Sequence, residues 1–590
     1  MTDTTATTPS EDVLAYSGAG GGLEAVMANA ASAGIGGVLP LPELTRFAWA
    51  VARHPKPVAS RIGRLATQLV GIGRGKPADA PGRSDSRFRD RAWADNSLLN
   101  GVALSYLACC DTVEGALDDA DVDWRTRERL RLFIDNVLAA AAPTNNPLTN
   151  PACWKEFIDS GGRSLRAGAD NLFTDLRLPT KLPSSVDQSA YRIGENIAAT
   201  PGKVVRRNRI YELIQYQPRA DEIDEVPVLL VSSPVNKYYL VDLEPEQSVV
   251  RAELDRGRSV FVASWVNPDA SHADVGFDDY VSSTVEMLET VSDISGSTTS
   301  HLLGPCGGGV LAFLTAAYLA AIEQQHMLAT LTIAIAVLDY HHGPSAMAYL
   351  DRKQVDRAVR RAVKHGYFDA RESAWSFALI RPIEGIWANA VHNYLLGKPP
   401  PAVGLLYWAA DQTNLATRFG AQLMEAALEN TLTRPGGVSI KGVPIDAGQI
   451  TVDTYVLAAS TDHISPWENC YRTVSMVGGD VTFVLARGGH AIAIARPPGS
   501  ARASYRTGDI SGTDPQTWLS GSVDNQGSWW DHWNAWIEQH TPGKRPAPIR
   551  LGSDTYPPVG DAPGGYVRRV ITFPSETSMD IRGTNRDPTA

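Results

Sequence analysis

Cysteine is scarce in this chain: Cys109, Cys110, Cys153, Cys306 and Cys470 are all that 590 residues hold. So few do not suggest a disulfide framework, and with no C-x-x-C pair a thiolate zinc site is not expected. Positive charge is also short. The formal net charge is −11, whereas nucleic-acid binding calls for a basic face. No apolar run approaches the roughly 20 residues that cross a bilayer; "TLTIAIAVL" from Thr330 is among the longest. The opening "MTDTTATTPSEDVLAYSGAGGG" has no basic stretch leading into an apolar block, so no signal peptide is expected. The 51 glycines and 38 prolines are dispersed, so no low-complexity class applies. These absences leave a globular protein, expected to be cytoplasmic and not transmembrane, yet free to sit on a hydrophobic surface.

What is present suffices for two domains, since 590 residues exceed one compact core. Residues 1–40 are polar or small, and a disordered tail is expected there. Residues 41–190 read as an all-helical amino-terminal domain. "DRAWADNSLLNGVALSYLACCDTVEGAL" places apolar residues three and four apart, "RTRERLRLFIDNVLAAAAP" repeats the pattern up to Pro143, and "ACWKEFIDSGGRSLRAGADNLFTDL" reads as a helix pair. "RLPTKLPSSVDQS" looks like a linker. Residues 191–590 change texture. "VPVLLVSSP", "SVFVASWVN", "TTSHLLGP", "TLTIAIAVLDY", "ITVDTYVLAAS" and "DVTFVLARGG" are short β-rich apolar runs separated by helical or loop segments. That alternation predicts an α/β domain, a mostly parallel sheet covered on both faces. About 341–433 breaks the alternation and reads as a cap insertion over the sheet's ligand edge.

One corner is crowded. Gly304-Pro305-Cys306-Gly307-Gly308 fits G-x-[SC]-x-G between an expected strand and an expected helix, the setting of a nucleophile elbow. Small flanking residues let such a turn approach its neighbours. The helix amino end beneath the sulfur favours a thiolate. The pattern alone equally describes a small core cysteine in a glycine-rich turn. Two later residues complete the order nucleophile, acid, histidine. "VLAASTDHISPW" sets Asp462 just past one strand, and "FVLARGGHAIAIARPPG" sets His490 just past the next.

At this point the chain resembles the polyhydroxyalkanoate synthases of the α/β-hydrolase superfamily, which polymerise (R)-3-hydroxyacyl-CoA. The family's lipase-like box appears as "GPCGGG", its acid motif as "DHISPW" and its histidine motif as "GGHAIAIARPPG". Further likeness lies in "NKYYLVDLEPEQSVVRAELDRGRSVFVASWVNPD", "IGENIAATPGKVVRRNRIYELIQYQP", "APTNNPLTNPACWKEF" and "YWAADQT", so that it runs from about residue 85 to 570. One long chain with helices ahead of the catalytic part resembles the single-subunit type. Three positions depart from the family pattern: Pro305 stands where an aromatic is usual, and Ala409 and Arg496 each replace an asparagine. These put substrate range in doubt more than chemistry.

The resemblance implies an acyltransferase. Cys306 attacks the acyl-CoA thioester, His490 takes the thiol proton, and CoA leaves. A thiolate-for-thiolate exchange is nearly balanced, whereas a serine ester would be a poorer acyl donor. The 3-hydroxyl of another unit then attacks the acyl-cysteine, deprotonated by His490 with Asp462 orienting it, or by Asp462 more directly. The Gly307 N–H and a second N–H near Val235 would hold the oxyanion. Trp408 and His463 are candidate substrate contacts. Trp375, Trp387, Tyr407 and Trp408 offer apolar area for a lid or a path for the polymer. The basic "RAVRRAVKHG" segment from Arg357 reads as a solvated face, with CoA phosphates as the alternative. No metal is expected, since adjacent His341 and His342 point to different sides without an acidic cluster. No cofactor is expected, CoA being part of the substrate and then a product. The expected partners are the growing polyester, the polymer granule surface and a second copy in a homodimer. An acyl-CoA thioesterase or lipase-like hydrolase remains the alternative, because water and a hydroxyacyl group use the same base. A non-catalytic granule-coat protein would not need Cys306, Asp462 and His490 together.

Overall fold

The computed structural model describes residues 40–75, 85–341, 347–348, 350–500, 502–512 and 514–569. The expected tail, apart from Pro40, lies outside these residues, as does His342.

The six apolar runs are six strands: β3 Val228–Val231, β4 Val260–Trp265, β5 Ser300–Pro305, β6 Leu328–Ala334, β7 Thr454–Ala459 and β8 Val481–Ala486. They pair in parallel, with register Leu230 to Leu303 and Pro305 to Ala334. Both faces are covered, so every second residue enters a different core. Leu229 and Val231 join the cluster under helices Phe277–Ser295, Gly307–Ala321 and Thr417–Glu429. Val228 and Leu230 join the one under Val249–Asp255, His490–Ala495 and Trp529–Glu538. Two-sided burial is why these strands read as continuous apolar runs.

Five flanking strands were not foreseen: β1 Gly202–Arg207, β2 Tyr211–Tyr216, β9 Ser504–Thr507, β10 Val523–Gln526 and β11 Gly560–Asp561. They extend the sheet with antiparallel pairings, in the order β10-β9-β8-β7-β6-β5-β3-β4-β2-β1-β11. Their polar residues hide the pattern. In β2, Glu212 is fully buried yet paired with Arg207, and the Gln215 amide oxygen accepts from the Gly552 N–H. From β3 the chain goes to β4 on one side, then crosses back to β5 on the other. This reversal is a topological switch point, and it opens a crevice at the carboxyl ends of β3 and β5.

The amino-terminal region is helical, with elements Leu41–Arg53, Pro55–Gly73, Ser97–Asp118, Trp124–Ala140, Pro151–Asp159 and Arg163–Asp175. Their starts follow capping chemistry: Asn96 accepts from the Leu98 and Leu99 N–H groups, Asp123 from Thr126, and Asn150 precedes Pro151 at the first helical position.

These helices sit on the segment between β6 and β7. Arg129 donates to the Ala348 carbonyl and pairs with Asp351 at 3.0 Å. The Tyr394 hydroxyl donates to Asp175 at 2.8 Å. The linker is pinned too, since the Trp375 indole donates to the Thr180 carbonyl and Asn393 to that of Ser184. At the closest approach a Cβ on Gly168 would lie 1.9 Å from the Tyr394 carbonyl oxygen. Gly168→Ala should therefore lift helix Arg163–Asp175 off its seat and destabilise the protein by about 3 kcal/mol. Chemical denaturation with limited proteolysis across 176–190 checks this; an unchanged midpoint would contradict the docking.

Candidate active site

Cys306 closes β5 and opens helix Gly307–Ala321 with φ 58° and ψ −126°, a region costly for a side-chain-bearing residue. Its N–H donates to the Ala334 carbonyl at 2.8 Å. The glycines of the box are explained by approach distances. A Cβ on Gly304 would lie 2.2 Å from the Gly308 carbonyl oxygen, and one on Gly308 would lie 2.0 Å from that of Val231. A Cβ on Gly307 would meet the Ser233 hydroxyl at 2.7 Å, so the loop after β3 sits directly over the helix amino end.

Asp462 and His490 arrive from the ends of β7 and β8. The His490 Nδ1–H donates to Asp462 Oδ2 at 2.7 Å, with both side chains buried. Asp462 Oδ1 accepts the Ile464 and Ser465 N–H groups, each at 2.8 Å, which fixes the carboxylate. Burial works to lower the His490 pKa. The Asp462 charge, and after it that of the Cys306 sulfur, outweigh it and hold the imidazole well above its usual value. Cys306, His490 and Asp462 thus lie within electrostatic reach of one another.

The other candidates fall in different places. Val235 is buried in the loop after β3, and its N–H reaches toward the Ser233 hydroxyl at 3.3 Å. Trp408 is 3% exposed and its indole donates to the Lys237 carbonyl at 2.7 Å, so it holds that loop from behind. His463 lies beside Asp462. Burial pushes its pKa down to about 4 despite the carboxylate, with Arg381 adding to the effect, so it is neutral at pH 7. Trp375 points at the linker, and Tyr407 packs on Tyr191 with ring centroids 5.1 Å apart. Ala409 lines a cavity of about 420 Å³ between the linker and the cap, together with Leu182, Phe377, Tyr407 and Gln412. A second thiol, Cys470, lies within charge reach of Cys306. Burial pushes its pKa well up, so it stays protonated, facing the Ser465 carbonyl. Among the described residues no group of three or more His, Cys, Asp or Glu side chains is placed to hold a metal.

One element escaped the sequence reading. Lys237, almost fully buried, pairs with Asp411 at 2.7 Å, and the Tyr239 hydroxyl donates to the same carboxylate. The Thr413 hydroxyl donates to the Val235 carbonyl at 2.6 Å. The "NKYY" and "YWAADQT" stretches are therefore two halves of one brace beneath the loop that faces Gly307. Both stretches carry the family likeness, but their pairing across more than 170 residues leaves no signal in a single sequence.

A wound parallel sheet with a cysteine elbow at its switch point, and an acid and a histidine after later strands, defines an α/β-hydrolase-fold protein. The alpha/beta hydrolase fold family matches residues 243–497, and the family described as the Poly-beta-hydroxybutyrate polymerase (PhaC) N-terminus matches 84–252. Poly(3-hydroxyalkanoate) polymerase 2 of Ectopseudomonas oleovorans is 37% identical over 87% of this chain and 92% of its own length. The Poly(3-hydroxyalkanoate) polymerase subunit PhaC of Cupriavidus necator is 36% identical over 82% and 83%, and the polymerase of Methylorubrum extorquens 33% over 84% and 82%. The chain belongs to the poly(3-hydroxyalkanoate) polymerase family.

Asp411→Ala would strand the buried Lys237 ammonium. It should cost about 3–5 kcal/mol of stability and lower kcat by loosening the loop over Gly307. Urea unfolding alongside turnover tests this; a stable variant with normal kcat would remove the brace from the account.

Proposed function

We propose that this chain polymerises (R)-3-hydroxyacyl-CoA into polyhydroxyalkanoate, carrying the growing chain as a thioester on Cys306. The supporting observation is the buried Asp462–His490 pair directed at Cys306 on the elbow, in a chain of this family. The Cys306 thiolate adds to the acyl carbonyl. The Gly307 N–H, with a donor from the Val235 loop, receives the oxyanion. As the carbon–sulfur bond to CoA breaks, the CoA thiolate takes the proton held on His490. The 3-hydroxyl of the next unit then gives its proton to His490 and attacks the acyl-cysteine. A carbon–oxygen bond forms, and the Cys306 sulfur is released. Asp462 holds the imidazole tautomer throughout. No cofactor enters, since CoA arrives as part of the substrate and leaves as product. Water competes with the hydroxyl, and the cap with its docked helices supplies the cover that excludes it.

The place of action in this reading is the cytoplasmic polymer granule, and the family likeness supports a homodimer. Helices Pro151–Asp159 and Arg163–Asp175 turn Trp154, Ile158, Leu165, Phe173 and Leu176 outward, each about half exposed or more. Exposed apolar side chains in such number on two consecutive helices suit an interaction surface, and the polyester is the hydrophobic product at hand.

Purified protein with 3-hydroxybutyryl-CoA should release CoA and form insoluble polymer together, followed by thiol assay and turbidity. CoA with free hydroxy acid would instead establish a hydrolase. Cys306→Ala should abolish CoA release, and Asp462→Asn should lower it by about 10³–10⁴-fold through the wrong tautomer. Leu165→Ser with Phe173→Ser should move the protein from the polymer pellet to the supernatant while soluble-substrate turnover persists; retention in the pellet would dismiss this face.

A further inference from the structure

Helices Leu41–Arg53 and Pro55–Gly73 precede the polymerase-family match, which begins at residue 84, and play no part in the chemistry above. Helix Pro55–Gly73 buries none of its 19 residues. It leans on helix Ser97–Asp118 along one edge, where Arg61 pairs with Asp119 and Ile72 lies beside Gly101. A helix of this length has little stability of its own in water, so a bare apolar face calls for a partner. Ile62, Leu69 and Val70 are 57%, 37% and 51% exposed, and on the neighbouring helix Leu41 and Trp49 are 63% and 59% exposed.

Charge identifies the partner. In a chain of net charge −11, residues 41–75 carry six cations and one acid. That acid, Glu43, is buried and paired with Arg129 at 2.9 Å. Arg53, Lys56, Arg64 and Arg74 are exposed. The Arg53 guanidinium lies 3.4 Å from the centre of the Trp49 ring. At 100° per residue, Lys56 and Arg74 fall together on the helix rim next to Val70. Apolar residues flanked by cations whose stems reach over them form the pattern of a helix lying in a headgroup layer. A neutral polyester surface would attract the apolar residues but offer the cations nothing.

We propose that this hairpin docks the protein on an anionic lipid surface, with Trp49, Ile62, Leu69 and Val70 entering the headgroup layer and Arg53, Lys56 and Arg74 meeting lipid phosphates. The site is separate from the polyester-facing helices and from the polymerase reaction.

The test is flotation of the full-length protein with phosphatidylcholine vesicles, with and without phosphatidylglycerol. Binding is expected on the anionic vesicles and should weaken as salt rises. The triple variant Arg53→Glu, Lys56→Glu, Arg74→Glu should bind at least about tenfold more weakly. Trp49→Ser with Ile62→Ser should also weaken binding, and both variants should release CoA from soluble substrate as the parent does. Equal flotation on neutral vesicles, salt-independent binding, or undiminished binding by the triple variant would overturn the proposal. So would failure on every vesicle with capture by lipid-free polyester particles. The salt series on the unaltered protein decides the matter even where a variant is poorly produced.

Discussion

Everything at the site depends on one backbone conformation, Cys306 held at φ 58° between a strand and a helix. Left-handed geometry at a cysteine costs on the order of 1–3 kcal/mol and persists only where its surroundings over-determine it. Here they do. Gly308 lies against the Val231 carbonyl, Gly304 against Gly308, and the Cys306 N–H is fixed on Ala334. The strain aims the sulfur out of the sheet edge, over a helix amino end and toward His490. A larger residue at Gly304 or Gly308 would push apart the two strands that frame the crevice.

The switch point sets what that sulfur meets. β3 and β5 end side by side, so the loop after β3 comes to lie over Gly307. Loops at such edges are easily mobile. The Lys237–Asp411 pair, the Trp408 indole and the Thr413 hydroxyl tie this loop to the cap from three directions. A buried ion pair adds little net stability over apolar packing, but it specifies one arrangement. Trp408, a candidate substrate contact, also holds the Lys237 carbonyl of this loop.

Much of this was visible in the sequence, for reasons that can be named. The six parallel strands are buried on both faces, so each appears as an unbroken apolar run. The elbow, Asp462 and His490 follow strands in the order the fold requires. The antiparallel flanks were hidden because Glu212 and Gln215 are buried polar residues whose partners, Arg207 and Gly552, cannot be assigned from one chain. The seat of the amino-terminal helices was hidden likewise. It rests on single hydrogen bonds such as Asn136 to the Leu379 carbonyl, and on a glycine, Gly168, that looks unremarkable within its helix. Periodicity reports which face of a helix is apolar, not which neighbour covers it or whether any does.

That distinction gives the amino-terminal region its meaning. The faces of helices Trp124–Ala140 and Arg163–Asp175 that meet the cap do so through polar and close-packed contacts: Arg129 with Asp351, Asp175 with Tyr394, Gly168 with a carbonyl. Leu130 is buried, but Trp124, Val137, Leu165, Leu172 and Phe173 are exposed, as are Trp49 and Ile62 ahead of them. That much exposed apolar area is costly for a chain folded around its own core alone, because the hydrophobic effect favours turning such side chains inward. It becomes intelligible if the outer surface is itself apolar or amphiphilic. In that reading the same seat ties surface to chemistry, since the helices that would face the interface also hold the linker and the cap whose inner side braces the loop over Gly307. A surface-seated enzyme would meet its insoluble product beside the site that makes it, with the cap held in place by the very helices that face outward.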